Sequence, residues 1–189
     1  MTMTLGDALD EVLPRLGSEL RIHANGHISR AACTRRDGEG CFYMIGSMGL
    51  ASSIGLGLAL ARPERRVLVL DGDGNVLMNP GALASIAAAA PPNLLHLCFD
   101  NGAHASTGGQ RTISDRVRLE ELARTAGYRH ASRVATREAL AAALPGFLAA
   151  TGPAFLLVRI ALGGKPGPRV PHAPEEMTAR MRRALGAAS

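Results

Sequence analysis

The sequence predicts an α/β fold, a single domain built on a doubly wound parallel sheet. Segments with strand and helix patterns alternate along the chain, and the connections between strands are long enough to contain a helix, as parallel strands require. Residues 67–70 are Val-Leu-Val-Leu, a continuous apolar run typical of a central strand that is buried on both faces. The length of 189 residues fits one domain with its own core.

Most elements carry a local signal. Thr4 and Asp7 favour a capped opening helix, which ends or bends at Pro14. We expect strands at residues 20–24, 41–45, 67–70, 94–99, 129–134 and 154–160. We expect helices at residues 27–35, 80–90, 115–126 and 136–148, together with a small-residue helix that follows Gly49 and ends near residue 61.

The alternation of strands and helices stops near residue 162. We therefore predict that residues 1–162 form the domain. Residues 163–189 are predicted to be a Pro/Gly linker followed by a short basic helix.

The composition limits the classes of function. The net charge of +5 comes from 21 basic and 16 acidic residues, but the arginines are scattered and aromatic residues make up only 3% of the chain. A protein that binds single-stranded nucleic acid would need aromatic side chains along a basic groove. The positive charge therefore favours small anionic ligands and argues against a nucleic-acid partner.

The cysteines and the N-terminal segment indicate the compartment. Cys33, Cys41 and Cys98 form no CxxC pair, which favours packing roles in a reducing environment over disulfides or structural zinc. The N-terminal segment has acidic residues within its apolar pattern and lacks the basic and apolar regions of a signal peptide. We expect a cytoplasmic protein with no membrane contact.

Polar residues follow two predicted strands at a spacing that suits a metal site. Gly72-Asp73-Gly74 is separated by 25 residues from Asp100-Asn101, the length of one helix and one strand. Because parallel strands end at the same edge of a sheet, the carboxylate of Asp73 and the amide of Asn101 should meet there. Both are oxygen ligands suited to Mg²⁺, and the flanking glycines let backbone amides approach a diphosphate.

Each of these residues also has an ordinary structural interpretation. Asp-Gly and Asn-Gly are common turn formers, so either Asp73 or Asn101 alone would more often be structural, and only their joint spacing favours a site. The glycines Gly55 and Gly57 could suggest a dinucleotide-binding motif, but they lie inside a predicted helix, where close packing is the better explanation. His23, Asn25 and His27 follow the first strand on the same edge and could face a substrate, but a loop role is favoured for them.

The spaced pair of motifs resembles the signature of thiamine-diphosphate enzymes. This resemblance implies that Asp73, Asn101 and the backbone carbonyl of Ala103 hold Mg²⁺. It also implies that the diphosphate is bound by Gly72, Gly74 and Asn75, which surround Asp73 on the same turn. The family usually has Asn-Asn where this chain has Asp100-Asn101, and the substitution leaves the implied ligand set intact.

The turn Gly46-Ser47-Met48-Gly49 resembles the segment that holds the aminopyrimidine ring of the cofactor in these enzymes. Met48 matches the apolar side chain that supports the bent cofactor, although methionine is more often a core residue. The carbonyl of Gly46 matches the acceptor of the 4′-amino group, and Ser47 is implied to contact the cofactor.

Two longer stretches, residues 42–57 and 100–110, are similar to the sulfopyruvate and phosphonopyruvate decarboxylases. His104 in the second stretch could orient substrate or transfer a proton, or be an ordinary surface or core histidine. Ser106 is implied to bind the cofactor. Arg111 stands where the family often has Pro, and it adds a positive charge for an anionic substrate. The resemblance covers about residues 20–160.

The family also requires a glutamate that protonates the pyrimidine ring, carried by a separate pyrimidine-binding domain. We expect this glutamate to come from a partner α subunit in a hetero-oligomer, with the active site between subunits. The expected reaction is decarboxylation of 3-sulfopyruvate or 3-phosphonopyruvate. The alternatives are a carboligating or oxidative thiamine enzyme, a noncatalytic thiamine-diphosphate-binding module and, least favoured, a nucleotide-binding module.

Overall fold

The computed structural model describes residues 3–165 and 167–186. Within these residues one sheet contains six strands: β1 (Leu20–His23), β2 (Cys41–Tyr43), β3 (Val67–Gly72), β4 (Leu94–Asp100), β5 (His130–Val134) and β6 (Ala154–Arg159). The helices are α1 (Leu5–Val12), α2 (His27–Arg35), α3 (Ala51–Ala61), α4 (Asp73–Met78), α5 (Gly81–Ala89), α6 (Leu119–Ala126), α7 (Arg137–Ala149) and α8 (Pro174–Ala184).

The sheet confirms the predicted α/β class with a doubly wound parallel architecture. Its strand order is β2-β1-β3-β4-β6-β5, and every neighbouring pair is parallel. On one side α1 packs against α2 and α7, and in a second layer α5 packs against α3 and α6. The register pairs Gly72 with Phe99, which brings the ends of β3 and β4 to the same level. The carboxyl ends of the central strands therefore meet at one edge.

The core is formed by the central strands, as their apolar sequences predict. Every residue of β3 and β4 is buried. Helix α3 approaches β3 closely because Gly55 has no side chain: a Cβ there would lie 2.3 Å from Cγ2 of Val69. This contact agrees with the packing interpretation of Gly55.

The N-terminal helix has the cap that the sequence predicts. The backbone N–H of Asp7 donates to the Thr4 hydroxyl over 3.2 Å, and the backbone N–H of Thr4 donates to the Asp7 carboxylate over 2.8 Å. The hydrogen bond from Thr4 lowers the pKa of Asp7. Pro14 lies in the short 3₁₀ turn Leu13–Arg15 that follows α1.

Several element boundaries differ from the sequence prediction, including those of β2 and α6, and α4 is an additional helix. Helix α4 begins at Asp73, where a turn was expected, because the Gly-Asp-Gly segment leads directly from β3 into a helical turn. Strand β2 ends at Tyr43 rather than 45, since the chain turns towards the segment at Gly46. Helix α6 begins at Leu119 rather than 115, because turns occupy the residues before it.

The C-terminal helix α8 packs against β2 at the edge of the sheet. Met177 and Met181 are buried, and the Arg180 guanidinium donates to the Asp37 carboxylate over 2.7 Å. The side-chain atoms of Cys33, Asp37 and His172 that could bind a metal ion lie within 4.8 Å of one another. Arg180 also donates to His172, so a guanidinium already supplies the positive charge of this cluster.

No helix in the described part of the chain has the length and apolar character needed to cross a bilayer.

The close approach of α3 to β3 predicts opposite effects of two alanine substitutions. Gly55→Ala would press a methyl group into Val69, and we expect it to lower the free energy of unfolding by about 1–3 kcal/mol. An added Cβ at Gly57 meets nothing within 4 Å. Gly57→Ala should therefore raise the free energy of unfolding by about 0.5–1 kcal/mol, through the higher helix propensity of alanine.

Urea denaturation followed by circular dichroism measures both changes. Equal stabilities of the two variants would contradict the close contact between α3 and β3.

Candidate functional site

A cleft of about 220 Å³ lies at the carboxyl ends of the central strands. It contains all the residues that the sequence predicts to hold the metal, the cofactor or the substrate except Gly46, Ser47 and Arg111, which lie outside its lining and are exposed. The predicted residues that line it are Met48, Gly72, Asp73, Gly74, Asn75, Asn101, Ala103, His104 and Ser106.

Asp73, the first residue of α4, is a buried carboxylate held by a hydroxyl. The Thr112 hydroxyl donates to Oδ2 of Asp73 over 2.5 Å. Burial raises the pKa of Asp73 and the charge of Asp100 raises it further, whereas hydrogen bonds from Thr112 and from the Gly74 and Asn101 amides lower it. The carboxylate is thus placed where a cation would relieve its desolvation.

Asp100 and Asn101 have different surroundings at the end of β4. Oδ1 of Asp100 accepts from Gly102 N–H at 3.0 Å, from the Ser114 hydroxyl at 2.8 Å and from Arg159 Nη1 at 2.7 Å. The carboxylate at the position where Asn is usual is therefore neutralised by an arginine. Oδ1 of Asn101 accepts from the N–H of Ala103 at 2.9 Å, and its second lone pair can still reach a metal.

Residues 102–112 form a small hairpin beside these ligands. Ala103 pairs with Arg111 in an antiparallel bridge, and the N–H of His104 donates to the carbonyl of Gln110 over 2.8 Å. The hairpin turns His104 back over Gly74, where an added Cβ would lie 2.7 Å from Nδ1 of the imidazole. Only glycine at position 74 fits this arrangement.

Met48 also reaches the Gly-Asp-Gly segment. A Cβ on Gly74 would lie 3.0 Å from Cε of Met48, so Met48 and His104 lie over the same glycine. Ser106, at the tip of the hairpin, packs on Gly26 at the start of α2, where a Cβ would lie 2.6 Å from its hydroxyl oxygen. Residues 46–49 and residues 100–110 therefore converge on one cleft.

Asn75 joins the turn that contains Met48 to the rest of the site. Its Oδ1 accepts from the N–H of Gly49 over 2.6 Å, and its Nδ2 donates to Oδ1 of Asn25 over 3.1 Å. Gly49 needs its freedom here, since its φ is +94°. The side chain of Asn75 is thus engaged with protein groups, which leaves its backbone as the part available to a diphosphate.

The residues after β1 separate into two groups. Asn25 and His27 line the cleft, whereas His23 is fully buried and stacks on the ring of Tyr43. Burial lowers the pKa of His23 to about 3, so it stays neutral. His23 is a core residue and does not face the cleft.

Sequence reasoning missed the residues that support the ligands. Thr112, Ser114 and Arg159 contact Asp73 or Asp100 from distant parts of the chain. A hydroxyl residue in a loop and an arginine at the end of a strand carry no local signal of such a contact. Local sequence patterns therefore do not indicate these three residues.

Comparisons with known proteins identify the family. Residues 28–158 match the model of the family described as "Thiamine pyrophosphate enzyme, C-terminal TPP binding domain", and the chain belongs to this family. Thiamine pyrophosphate is another name for thiamine diphosphate. The chain is therefore a thiamine-diphosphate-binding domain, with Mg²⁺ as the ion that accompanies the diphosphate, and the resemblance inferred from the motifs is confirmed.

Characterised relatives are similar along most of the chain. A sulfopyruvate decarboxylase from Methanosarcina acetivorans is 41% identical over 184 residues, which are 97% of this chain and 47% of that protein. A phosphonopyruvate decarboxylase from Streptomyces hygroscopicus is 45% identical over 157 residues, 82% of this chain and 39% of that protein. The sulfopyruvate decarboxylase subunit beta of Methanothermobacter thermautotrophicus is 48% identical over 122 residues, 65% of each protein. The chain spans less than half the length of the first two relatives.

A solved structure agrees with the fold. The benzoylformate decarboxylase from Polynucleobacter necessarius matches with a TM-score of 0.76 and 15% identity, over 88% of this chain and 34% of that one. At this identity the likeness concerns the fold alone.

The residues of the cleft fit the family's cofactor and metal. Asp73, Asn101 and the Ala103 carbonyl are the oxygen donors that Mg²⁺ prefers, and Mg²⁺ leaves the rest of its octahedron to phosphate and water. Gly74 has no side chain, which lets His104 and Met48 approach the start of α4. Gly46 and Ser47, outside the cleft lining, lie on the open side of the same turn as Met48.

The position of Asp73 predicts its effect on metal binding. We expect Asp73→Ala to weaken Mg²⁺ binding in the presence of thiamine diphosphate by at least about 100-fold, since even residues that only support metal ligands contribute about 10–100-fold. Asp115→Ala is the control, because Asp115 lies in the same region of the chain and, among the described residues, pairs with Arg111 at the surface. Competition against Mn²⁺ by electron paramagnetic resonance measures both, and equal affinities would contradict the assignment.

Proposed function

We propose that this chain is the Mg²⁺ and thiamine-diphosphate-binding subunit of a 2-oxo-acid decarboxylase. The substrate is 3-sulfopyruvate or 3-phosphonopyruvate, and the products are CO₂ and sulfoacetaldehyde or phosphonoacetaldehyde. The observation that carries this proposal is the convergence of Asp73, Asn101, Met48 and His104 on one cleft. The names and identities of the relatives from Methanosarcina acetivorans and Streptomyces hygroscopicus support the reaction and the two substrates.

The metal ligands in this proposal are the Asp73 carboxylate, the Asn101 amide oxygen and the Ala103 carbonyl. The backbone at Gly72, Gly74 and Asn75 binds the diphosphate, assisted by the hydroxyl of Ser106. When bound, thiamine diphosphate supplies the electron sink that decarboxylation of a 2-oxo acid needs.

The turn at residues 46–49 holds the pyrimidine side of the cofactor. Met48 supports the bent conformation, the Gly46 carbonyl accepts a hydrogen bond and Ser47 lies beside it. The bond from Gly49 to Asn75 supports this role, because it fixes the turn relative to the diphosphate segment.

His104 is proposed to orient the substrate or to transfer a proton. Its ring packs over Gly74 beside Met48, at the point where the two halves of the site meet. The hairpin bond from its N–H to Gln110 fixes the backbone that carries it. An imidazole can donate and accept at neutral pH, as either function requires.

Arg111 is proposed to bind the sulfonate or phosphonate of the substrate. Its side chain is 83% exposed, and its contact with Asp115 is long, at 3.4 Å. The backbone bridge to Ala103 holds Arg111 next to a proposed metal ligand. A guanidinium matches the geometry of a sulfonate or phosphonate well.

A pyrimidine-binding α subunit is proposed to complete the site with the activating glutamate. The cleft is smaller than the roughly 300–1,000 Å³ of typical ligand pockets, as expected if a second protein forms the opposite wall. Ile45, Leu50, Ile54 and Met78 are exposed apolar side chains around the turn at residues 46–49. The name "subunit beta" of the Methanothermobacter relative supports a two-subunit enzyme.

The proposed reaction is tested by CO₂ release from sulfopyruvate and phosphonopyruvate. The chain is purified with the partner that it retains and supplied with Mg²⁺ and thiamine diphosphate. We expect release that depends on both and is abolished by Asp73→Ala. Arg111→Gln should raise the KM for the acid about tenfold or more with a smaller change in kcat, because it removes a hydrogen bond between charged groups, which contributes about 1.5–3 kcal/mol.

Arg116→Gln is the control for a lost positive charge in the same segment. Binding of the cofactor without turnover of either acid, in the presence of a pyrimidine-domain partner, would contradict the proposed reaction. It would favour a carboligating or oxidative thiamine enzyme, or a noncatalytic module.

If the exposed apolar side chains form the contact with the partner, a charge placed among them should weaken that contact. Ile54→Asp places a charge in the proposed contact, and we expect most of the chain to elute without its partner in size-exclusion chromatography. Leu122→Asp is the matched control, since Leu122 on α6 has the same exposure of 37% as Ile54. Loss of the partner by both variants, or by neither, would argue against this contact surface.

A further inference from the structure

The hairpin of residues 102–112 is attached to the metal site through Thr112. We propose that Thr112 is a positioning residue of the Mg²⁺ site: its hydroxyl orients the carboxylate of Asp73, and its backbone amide holds the hairpin that carries Ala103. This inference rests on the proposed roles of Asp73, Asn101 and Ala103 as ligands.

The direction of the hydrogen bond from Thr112 follows from its surroundings. Oγ1 of Thr112 lies 2.5 Å from Oδ2 of Asp73, a distance typical of a hydroxyl that donates to a charged carboxylate. Oγ1 of Thr112 also lies 3.1 Å from the hydroxyl of Ser114, but Ser114 is 2.8 Å from the carboxylate of Asp100. Each hydroxyl has one proton, so Thr112 donates to Asp73 and Ser114 donates to Asp100.

The backbone of Thr112 holds the other side of the site. Its N–H donates to the carbonyl of Gly102 over 2.9 Å, and the N–H of Gly102 donates in turn to Asp100 over 3.0 Å. Gly102 is thus fixed from both sides, between Asn101 and Ala103. Thr112 therefore sets the distance between the ligand at the start of α4 and the ligands that follow β4.

The hydroxyl also determines how Asp73 meets a cation. Because Oδ2 already accepts a hydrogen bond from Thr112, coordination of a metal through Oδ1 alone is favoured over coordination through both oxygens. Mg²⁺ requires a near-ideal octahedron, whereas Ca²⁺ accepts carboxylates that bind through both oxygens. Thr112 therefore favours Mg²⁺ over Ca²⁺ at this site.

Three variants test this role. Thr112→Val removes the hydroxyl and keeps the shape of the side chain, and Thr112→Ser keeps the hydroxyl. Thr178→Val is the control, since the Thr178 hydroxyl on α8 is exposed and bonds to Pro174 of its own helix. Dissociation constants for Mg²⁺ and Ca²⁺ are measured by calorimetry with thiamine diphosphate and the retained partner, and the melting temperature is measured without metal.

We expect Thr112→Val to weaken Mg²⁺ binding by about 10-fold or more, the effect typical of residues that support metal ligands. Ca²⁺ binding should weaken less, so the ratio of the two affinities falls. Thr112→Ser should stay within about threefold of the unaltered protein, as should Thr178→Val.

Two results would overturn the inference. One is unchanged Mg²⁺ affinity in Thr112→Val; the other is an equal loss for both ions together with a lower melting temperature and no recovery in Thr112→Ser. Asp73→Ala separates the two levels: if it binds Mg²⁺ normally, the proposed metal site itself is wrong. If it loses Mg²⁺ while Thr112→Val does not, only the role of Thr112 fails.

Discussion

Two buried carboxylates stand at the ends of neighbouring parallel strands, and much of the site is arranged to tolerate their charges. Asp73 and Asp100 come from adjacent strand ends, and burial together with the charge of Asp100 raises the pKa of Asp73. Arg159 neutralises Asp100 directly, and hydroxyl groups donate to each carboxylate. In the part of the chain that the structure describes, Asp73 has hydrogen bonds but no ion pair with an arginine, so a divalent cation is the natural compensation for its charge.

Close packing of small residues holds the rest of the cleft in place around this pair. Gly74 allows the His104 ring and the Met48 methyl group to meet over the start of α4. Asn75 then joins the turn at residues 46–49 to the segment after β1 through hydrogen bonds. These two segments, the start of α4 and the hairpin of residues 102–112 are thus in contact with one another. Helix α3, which begins at that turn, is seated against the central strand through Gly55, and its position relative to β3 leaves little freedom.

The outer face of helix α3, which follows the turn at residues 46–49, has features of a protein contact surface. Apart from Ser52 and Ser53, helix α3 consists of apolar residues and glycines, a pattern expected for a helix that is largely covered. In the chain alone its outer face is exposed, with Ile54 and Leu60 among the large apolar residues in contact with solvent. The proposed partner would cover this face and supply the missing wall of the cleft, so the same contact would protect apolar surface and complete the site.

Local periodicity, together with spacing across one strand and helix, is enough to predict the succession of strands along the chain, the parallel fold class and the convergence of the Gly-Asp-Gly and Asp-Asn segments. The sequence did not reveal α4, whose first residues have the composition of a turn, or that His23 is a core residue. The tertiary structure is needed to show that Thr112 donates to Asp73 across 39 positions, that Ser114 and Arg159 bind Asp100, and that the side chain of Asn75 contacts protein groups. Such pairings depend on where distant loops meet, and a hydroxyl or guanidinium has the same local signal whether or not it finds a carboxylate.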